Sequence, residues 1–127
     1  GPEEIIEHLA LRGAIRHFTA GAEYGEPRQA AEFLGRLPDI VASMDDCSVI
    51  LYQAGADPHL ADPLGGWLST DELRRRDELV FSTARSRGIP VAWNLAGGYQ
   101  RDSAGGIRPV TDIHAATARA CIDAYGR

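Results

Sequence analysis

Two short apolar runs stand on either side of a helix whose two ends are both written in the sequence. The helix opens at Ser69, with Glu72 three residues on, so each side chain can satisfy the other residue's backbone N–H. Asp71 and Glu72 suit the positive end of the helix dipole. Leu73, Val80, Phe81 and Ala84 recur at helical spacing and mark a buried side. Asp71 and Arg75, and Glu72 and Arg76, stand four apart and are expected to pair. Gly88 ends the helix, and Pro90 cannot continue it. The run before it, residues 48–53, and the run after it, residues 89–95, are apolar enough to read as strands buried on both faces. Such strands belong to parallel sheets.

The rest of the chain continues the alternation. Residues 3–11 carry Ile5, Ile6, Leu9 and Leu11 at helical intervals, and Gly13 stops that helix. Residues 14–18 read as a short strand. Residues 19–27, with Gly21, Gly25 and Pro27, read as a loop. Residues 28–44 are helical, with a kink or a break expected at Pro38. A last helix is expected from about Thr111 to Tyr125. Helices alternating with strands imply a parallel α/β sheet.

Composition narrows the function classes. At 127 residues, one domain is expected. Apolar residues at 44% and charged residues at 24% exclude a disordered chain. No apolar run approaches the ~20 residues of a membrane span. No basic start leads into an apolar stretch, so no signal peptide is expected. A formal charge of −5 argues against nucleic acid as a partner. Cys47 and Cys121 form neither a disulfide framework nor a zinc-ribbon pattern, so a reducing cytoplasm is the expectation. All 13 basic residues are arginine, which reads as the codon bias of a GC-rich genome.

In open parallel sheets, chemistry sits in loops at the carboxyl ends of the strands. Two such loops occur here, residues 54–59 and 95–100. Asp57 could be a metal ligand or a general base, or it could cap a turn before Pro58. With His59 it forms an Asp-x-His triplet that could give two metal ligands, or His59 is a loop histidine. Asp62 opens a turn through Gly66 and is expected to bond backbone amides there. Gly97 and Gly98 allow backbone to approach a ligand. Tyr99 could donate to a carbonyl or oxyanion, or be a half-buried loop tyrosine. Neither of the two glycine-rich phosphate-loop patterns is present. Arg74, Arg75 and Arg76 read as a solvated helix face. His8, His17 and His114 read as structural, and Trp67 and Trp93 as core or groove wall.

Five segments in order carry a resemblance: Tyr52-Gln53-Ala54-Gly55-Ala56-Asp57, Asp62-Pro63-Leu64-Gly65-Gly66, Arg76-Asp77-Glu78-Leu79-Val80-Phe81, Gly88-Ile89-Pro90-Val91 and Ala96-Gly97-Gly98-Tyr99. Over roughly residues 48–125 the chain resembles the second half of the histone deacetylase superfamily, with acetoin-utilisation proteins and acetylpolyamine amidohydrolases, leaning toward class IV-like members. The resemblance implies a three-layer arginase/deacetylase-like α/β fold, of which residues 1–127 are the C-terminal portion. It implies that Asp57 is a Zn²⁺ ligand. It implies that Tyr99 polarises the scissile carbonyl, that Leu64 lines the acyl channel, and that Gly97 and Gly98 face the substrate. Ala96 stands where the family often has a further glycine.

The family's His pair and its Asp-x-His zinc segment precede this region, and nothing in residues 1–47 resembles them. A catalytic zinc needs about three protein ligands. The expectation is a portion of a zinc-dependent amidohydrolase acting on acetyl-lysine or an acetylpolyamine, inactive alone. Its zinc would be held in the intact parent, and its partner would be the missing N-terminal half or a second copy. Asp57 and Tyr99 are then expected to face one cavity. The alternatives are a non-catalytic α/β assembly module and a small flavodoxin-like domain with a ligand at the sheet edge.

Overall fold

The computed structural model describes residues 2–11, 13 and 15–126. The elements run α1 (Pro2–Leu11), α2 (Ala30–Ala42), β1 (Ile50–Gly55), α3 (Thr70–Ser86), β2 (Val91–Ala96) and α4 (Arg108–Tyr125), with two single 3₁₀ turns ahead of α2. β1 and β2 pair in parallel, Ile50 opposite Val91 through Gly55 opposite Ala96. The chain is a mixed α/β fold around a small two-stranded parallel sheet.

The ends of α3 follow from local chemistry. Glu72 N–H donates to Ser69 Oγ at 3.1 Å, and Ser69 N–H donates to Glu72 Oε1 at 2.9 Å. At the other end Gly88 takes φ 69°, in the left-handed region that costs glycine least. There Ile89 N–H reaches Ala84 O at 2.9 Å and Gly88 N–H reaches Arg85 O at 3.1 Å. This double closure satisfies carbonyls the helix leaves open.

Packing follows the register. Tyr52 and Trp93 stand opposite each other, and both ring edges meet Phe81 of α3, at centroid distances of 5.7 and 6.1 Å. Phe33, Leu37 and Val41 of α2 are buried in the same core as Leu73, Val80, Val110 and Ile113. Trp67 completes an aromatic cluster with Tyr24 and Phe33.

Several expectations are corrected. The strands are not buried on both faces. Alternation along β1 turns Leu51 to the other face, where it is 80% exposed beside exposed Gln53, Ala92 and Asn94. The described residues therefore build two layers, and the third layer of an arginase/deacetylase-like fold is not among them. Residues 15–18 form no strand, and Ala14 lies outside the described residues. α2 runs unbroken through Pro38. α4 begins at Arg108, with Pro109 in its first turn, where a missing N–H costs nothing.

The ion pairs on α3 also differ. Glu72 is spent on the cap, and Arg74 and Arg75 both lie within 4 Å of Glu78 instead. Arg76 is buried rather than on the solvated face. No helix among the described residues is long and apolar enough to cross a membrane.

Candidate functional site

The two strand-end loops lie side by side. Ala56 N–H donates to Ala96 O at 2.9 Å, which carries the strand pairing one step into the loops. Beyond it, residues 57–68 fold back on themselves. Pro58 O accepts from Trp67 N–H at 3.1 Å and from Leu68 N–H at 2.9 Å. Gly65 closes this turn against Asp57, because a Cβ there would lie 1.4 Å from Asp57 O.

Asp57 projects toward the second loop. A Cβ on Gly97 would lie 2.3 Å from Asp57 Oδ1, and one on Gly55 would lie 2.8 Å from the same atom. The glycines serve this contact. Gly98, at φ 105°, likewise leaves room for Val110, whose Cγ1 would lie 2.5 Å from an added Cβ. The close approach expected of a ligand is thus made, in this chain, by Asp57 and Val110. The Asp57 carboxylate is half-buried and has no hydrogen-bond or ion-pair partner among the described residues. It lines a groove of about 510 Å³ whose walls include Tyr52, Phe33, Trp67, Leu68 and Arg76.

Tyr99 is placed differently. Tyr99 is 51% exposed, and it is not among the residues that line this groove. Its backbone N–H donates to Asp62 Oδ2 at 2.7 Å. Asp62 Oδ1 accepts from Leu64 N–H at 2.9 Å, the turn bond expected of it. The Leu64 side chain is 71% exposed. The loops that carry Asp57, Leu64, Gly97, Gly98 and Tyr99 are therefore brought together, while the Tyr99 ring stays outside the groove that Asp57 faces.

His59 is a loop histidine. Ala61 N–H donates to Nδ1 at 3.0 Å, which leaves Nε2 to carry the proton toward Thr70 Oγ1 at 2.8 Å. Both ring nitrogens are engaged, one by Ala61 N–H and the other by Thr70 at the start of α3, so His59 presents no free nitrogen beside Asp57. His17 bonds Thr19 at the surface. His114 lies on α4 beside Trp93 and Leu95.

Behind the site lies a buried polar network that sequence reasoning missed. Asp77 is 1% exposed. Its Oδ1 accepts from Tyr52 Oη at 2.5 Å and from Arg76 Nε at 3.1 Å, and its Oδ2 accepts from Thr117 Oγ1 at 2.5 Å. Arg76 Nη1 donates to Gly55 O at 2.8 Å, two residues before Asp57. Burial pushes the Tyr52 phenol well above its ordinary value; the Asp77 charge adds to this and Arg76 opposes it. Tyr52 therefore stays a donor. The available signal was periodicity, since Arg76 and Asp77 fall on the stripe of Leu73, Val80, Phe81 and Ala84.

A half-buried carboxylate with free oxygens is a donor a zinc ion takes. No group of three or more His, Cys, Asp or Glu among the described residues could hold a metal ion. These residues alone do not fit a catalytic zinc.

No family model matches the chain, and no solved structure matches it. Curated proteins similar to the chain include the following two. An uncharacterized protein of Picosynechococcus sp. is 37% identical over 78 residues, covering 61% of this chain and 25% of that protein. Histone deacetylase 2 of Arabidopsis thaliana is 42% identical over 57 residues, covering 44% of this chain and 15% of that protein. The chain thus spans a quarter or less of the length of these relatives, and part of it is similar to part of a histone deacetylase.

Proposed function

We propose that this chain is the C-terminal portion of a deacetylase-type hydrolase acting on acetyl-amides, either acetyl-lysine or an acetylpolyamine. The observation that carries the reading is the meeting of two strand-end loops, one offering an unpartnered Asp57 carboxylate and the other Tyr99 on a glycine turn. The partial similarity to a histone deacetylase supports it. Here Tyr99 donates its hydroxyl to the carbonyl oxygen as negative charge develops there. Leu64 forms an apolar wall for the acyl group, and Gly97 and Gly98 keep the loop close to Asp57. Asp57 would supply one ligand to a zinc ion, whose contribution when bound would be to activate water. The remaining ligands and the acid/base would have to come from outside these residues.

Turnover of an acetyl-lysine peptide and of acetylspermidine with added Zn²⁺ tests this. The chain alone is expected to be inactive. The full-length protein is expected to turn over one of them, and Tyr99→Phe to lower kcat by ~10²–10³. A full-length protein inert toward both, or a Tyr99→Phe variant as fast as wild type, overturns the reading.

A further inference from the structure

We infer that Asp62 is a positioning residue, which fixes the Tyr99 loop relative to the Leu64 turn by holding the backbone of both residues on one carboxylate. This rests on the hydrolase reading above and names the group that sets its geometry.

Asp62 is 6% exposed and has no cationic partner among the described residues. Burying a carboxylate is costly unless it is hydrogen-bonded. Its two oxygens divide the task. Oδ1 takes Leu64 N–H, two residues on, at 2.9 Å. Oδ2 takes Tyr99 N–H, 37 residues on, at 2.7 Å. The turn alone does not require a carboxylate, because Asn or Ser closes a turn of this kind as well. The second, long-range bond is what the extra oxygen serves. Bonds of N–H to a carboxylate are shorter and stronger than neutral ones, and this one lands on the residue that follows two glycines at φ 58° and 105°. A tie there removes the freedom those glycines introduce. Tyr99 and Leu64 are both exposed, so the common carboxylate determines where each side chain begins.

Asp62→Ser separates the two bonds: a serine hydroxyl still closes the turn on Leu64 but is too short to reach Tyr99. Asp62→Asn is the second variant, with one acceptor oxygen and an amide NH₂ that opposes the other N–H. Amide hydrogen exchange on the chain is the first readout. In Asp62→Ser the Tyr99 amide is expected to exchange roughly tenfold to a hundredfold faster, with Leu64 less affected.

Turnover of an acetyl-lysine peptide by the full-length protein is the second readout. There kcat is expected to fall with KM nearly unchanged, and the loss to vanish in a Tyr99→Phe background, because coupled residues are not additive. Unchanged protection of Tyr99 in both variants overturns the proposal. So does a loss of turnover that is just as large without the Tyr99 hydroxyl. If the unmodified full-length protein turns over no acetyl-amide, the hydrolase reading and the role of Asp62 in it both fall. The exchange result still decides whether Asp62 ties the two loops.

Discussion

Asp77 and Thr117 stand on neighbouring helices and share a 2.5 Å hydrogen bond, with Thr117 Oγ1 donating to Asp77 Oδ2 and both residues almost fully buried. Because Asp77 also holds Tyr52 and Arg76, this bond connects α4 to the strand that ends at the candidate site. Thr117→Val keeps the shape and removes the donor, leaving a buried charged oxygen unsatisfied. The expected loss is about 1–3 kcal/mol in urea unfolding. Thr117→Ser, which keeps the hydroxyl, is expected to lose less. Equal stability of the Val variant and wild type would show that Oδ2 is satisfied in some other way.

The glycines of the second loop make a separable prediction. Gly97 and Gly88 both have positive φ, 58° and 69°, but nothing lies within 4 Å of a Cβ added at Gly88. Gly88→Ala therefore carries only the left-handed backbone cost, about 1–2 kcal/mol. Gly97→Ala carries that cost plus a collision with the Asp57 carboxylate, so it is expected to destabilise more. Part of the excess should disappear when Gly97→Ala is placed in an Asp57→Ala background. If the two alanine variants melt together, the loops do not meet as described.

Tyr52 predicts an alkaline limb in stability. Its folded pKa is raised above the unfolded value of about 10. The contribution of the buried phenol is therefore fully present below about pH 10 and is lost as pH rises toward the folded value. The limiting slope is about 1.4 kcal/mol per pH unit for one proton. Tyr52→Phe should be less stable at pH 8, because Asp77 loses a donor. It should also show a flatter decline between pH 10 and 12. Parallel declines in urea unfolding across that range would remove Tyr52 as the cause.

Asp57 should behave oppositely to Asp77. Its carboxylate has no partner to lose, so Asp57→Asn is expected to change stability by no more than about 0.5 kcal/mol, as for an ordinary surface substitution. In the full-length protein the same change should abolish turnover of an acetyl-lysine peptide. A large loss of stability would assign Asp57 a structural role and weaken its candidacy as a ligand.

What the sequence disclosed and what it withheld divide along the range of the interactions. Ser69, Glu72 and Gly88 fixed the ends of α3 because caps act over three to five residues. The Asp62 turn was readable for the same reason, whereas its bond to Tyr99, 37 residues away, was not. Leu51 sits in an apolar run that looks buried throughout, and which face is covered depends on how many layers assemble around the strand. Residues 14–18 read as a short strand, but pairing requires a neighbour, and among the described residues β1 pairs with β2 alone. Arg76 read as surface because it closes a run of three arginines, and such a run is usually solvated, while Asp77 carried no burial reading of its own. Their place on the buried stripe was visible in the spacing.

The exposed sheet face leads to the last prediction, that the isolated chain self-associates. Leu51 is 80% exposed on that face beside exposed Gln53, Ala92 and Asn94, and Val49, just ahead of β1, is also open. Parallel strands are normally covered on both sides, and an unpaired strand edge offers free N–H and C=O groups to another chain. The charge of −5 gives weak protection, because repulsion between surface charges is screened beyond ~10 Å at ordinary salt. Light scattering after size exclusion is expected to give a mass that rises with concentration. Leu51→Lys, which adds charge to that face without touching the core, should shift the distribution toward monomer and reduce binding of an apolar-surface dye. A monomer at every concentration in both forms would mean that this face is stable in water uncovered.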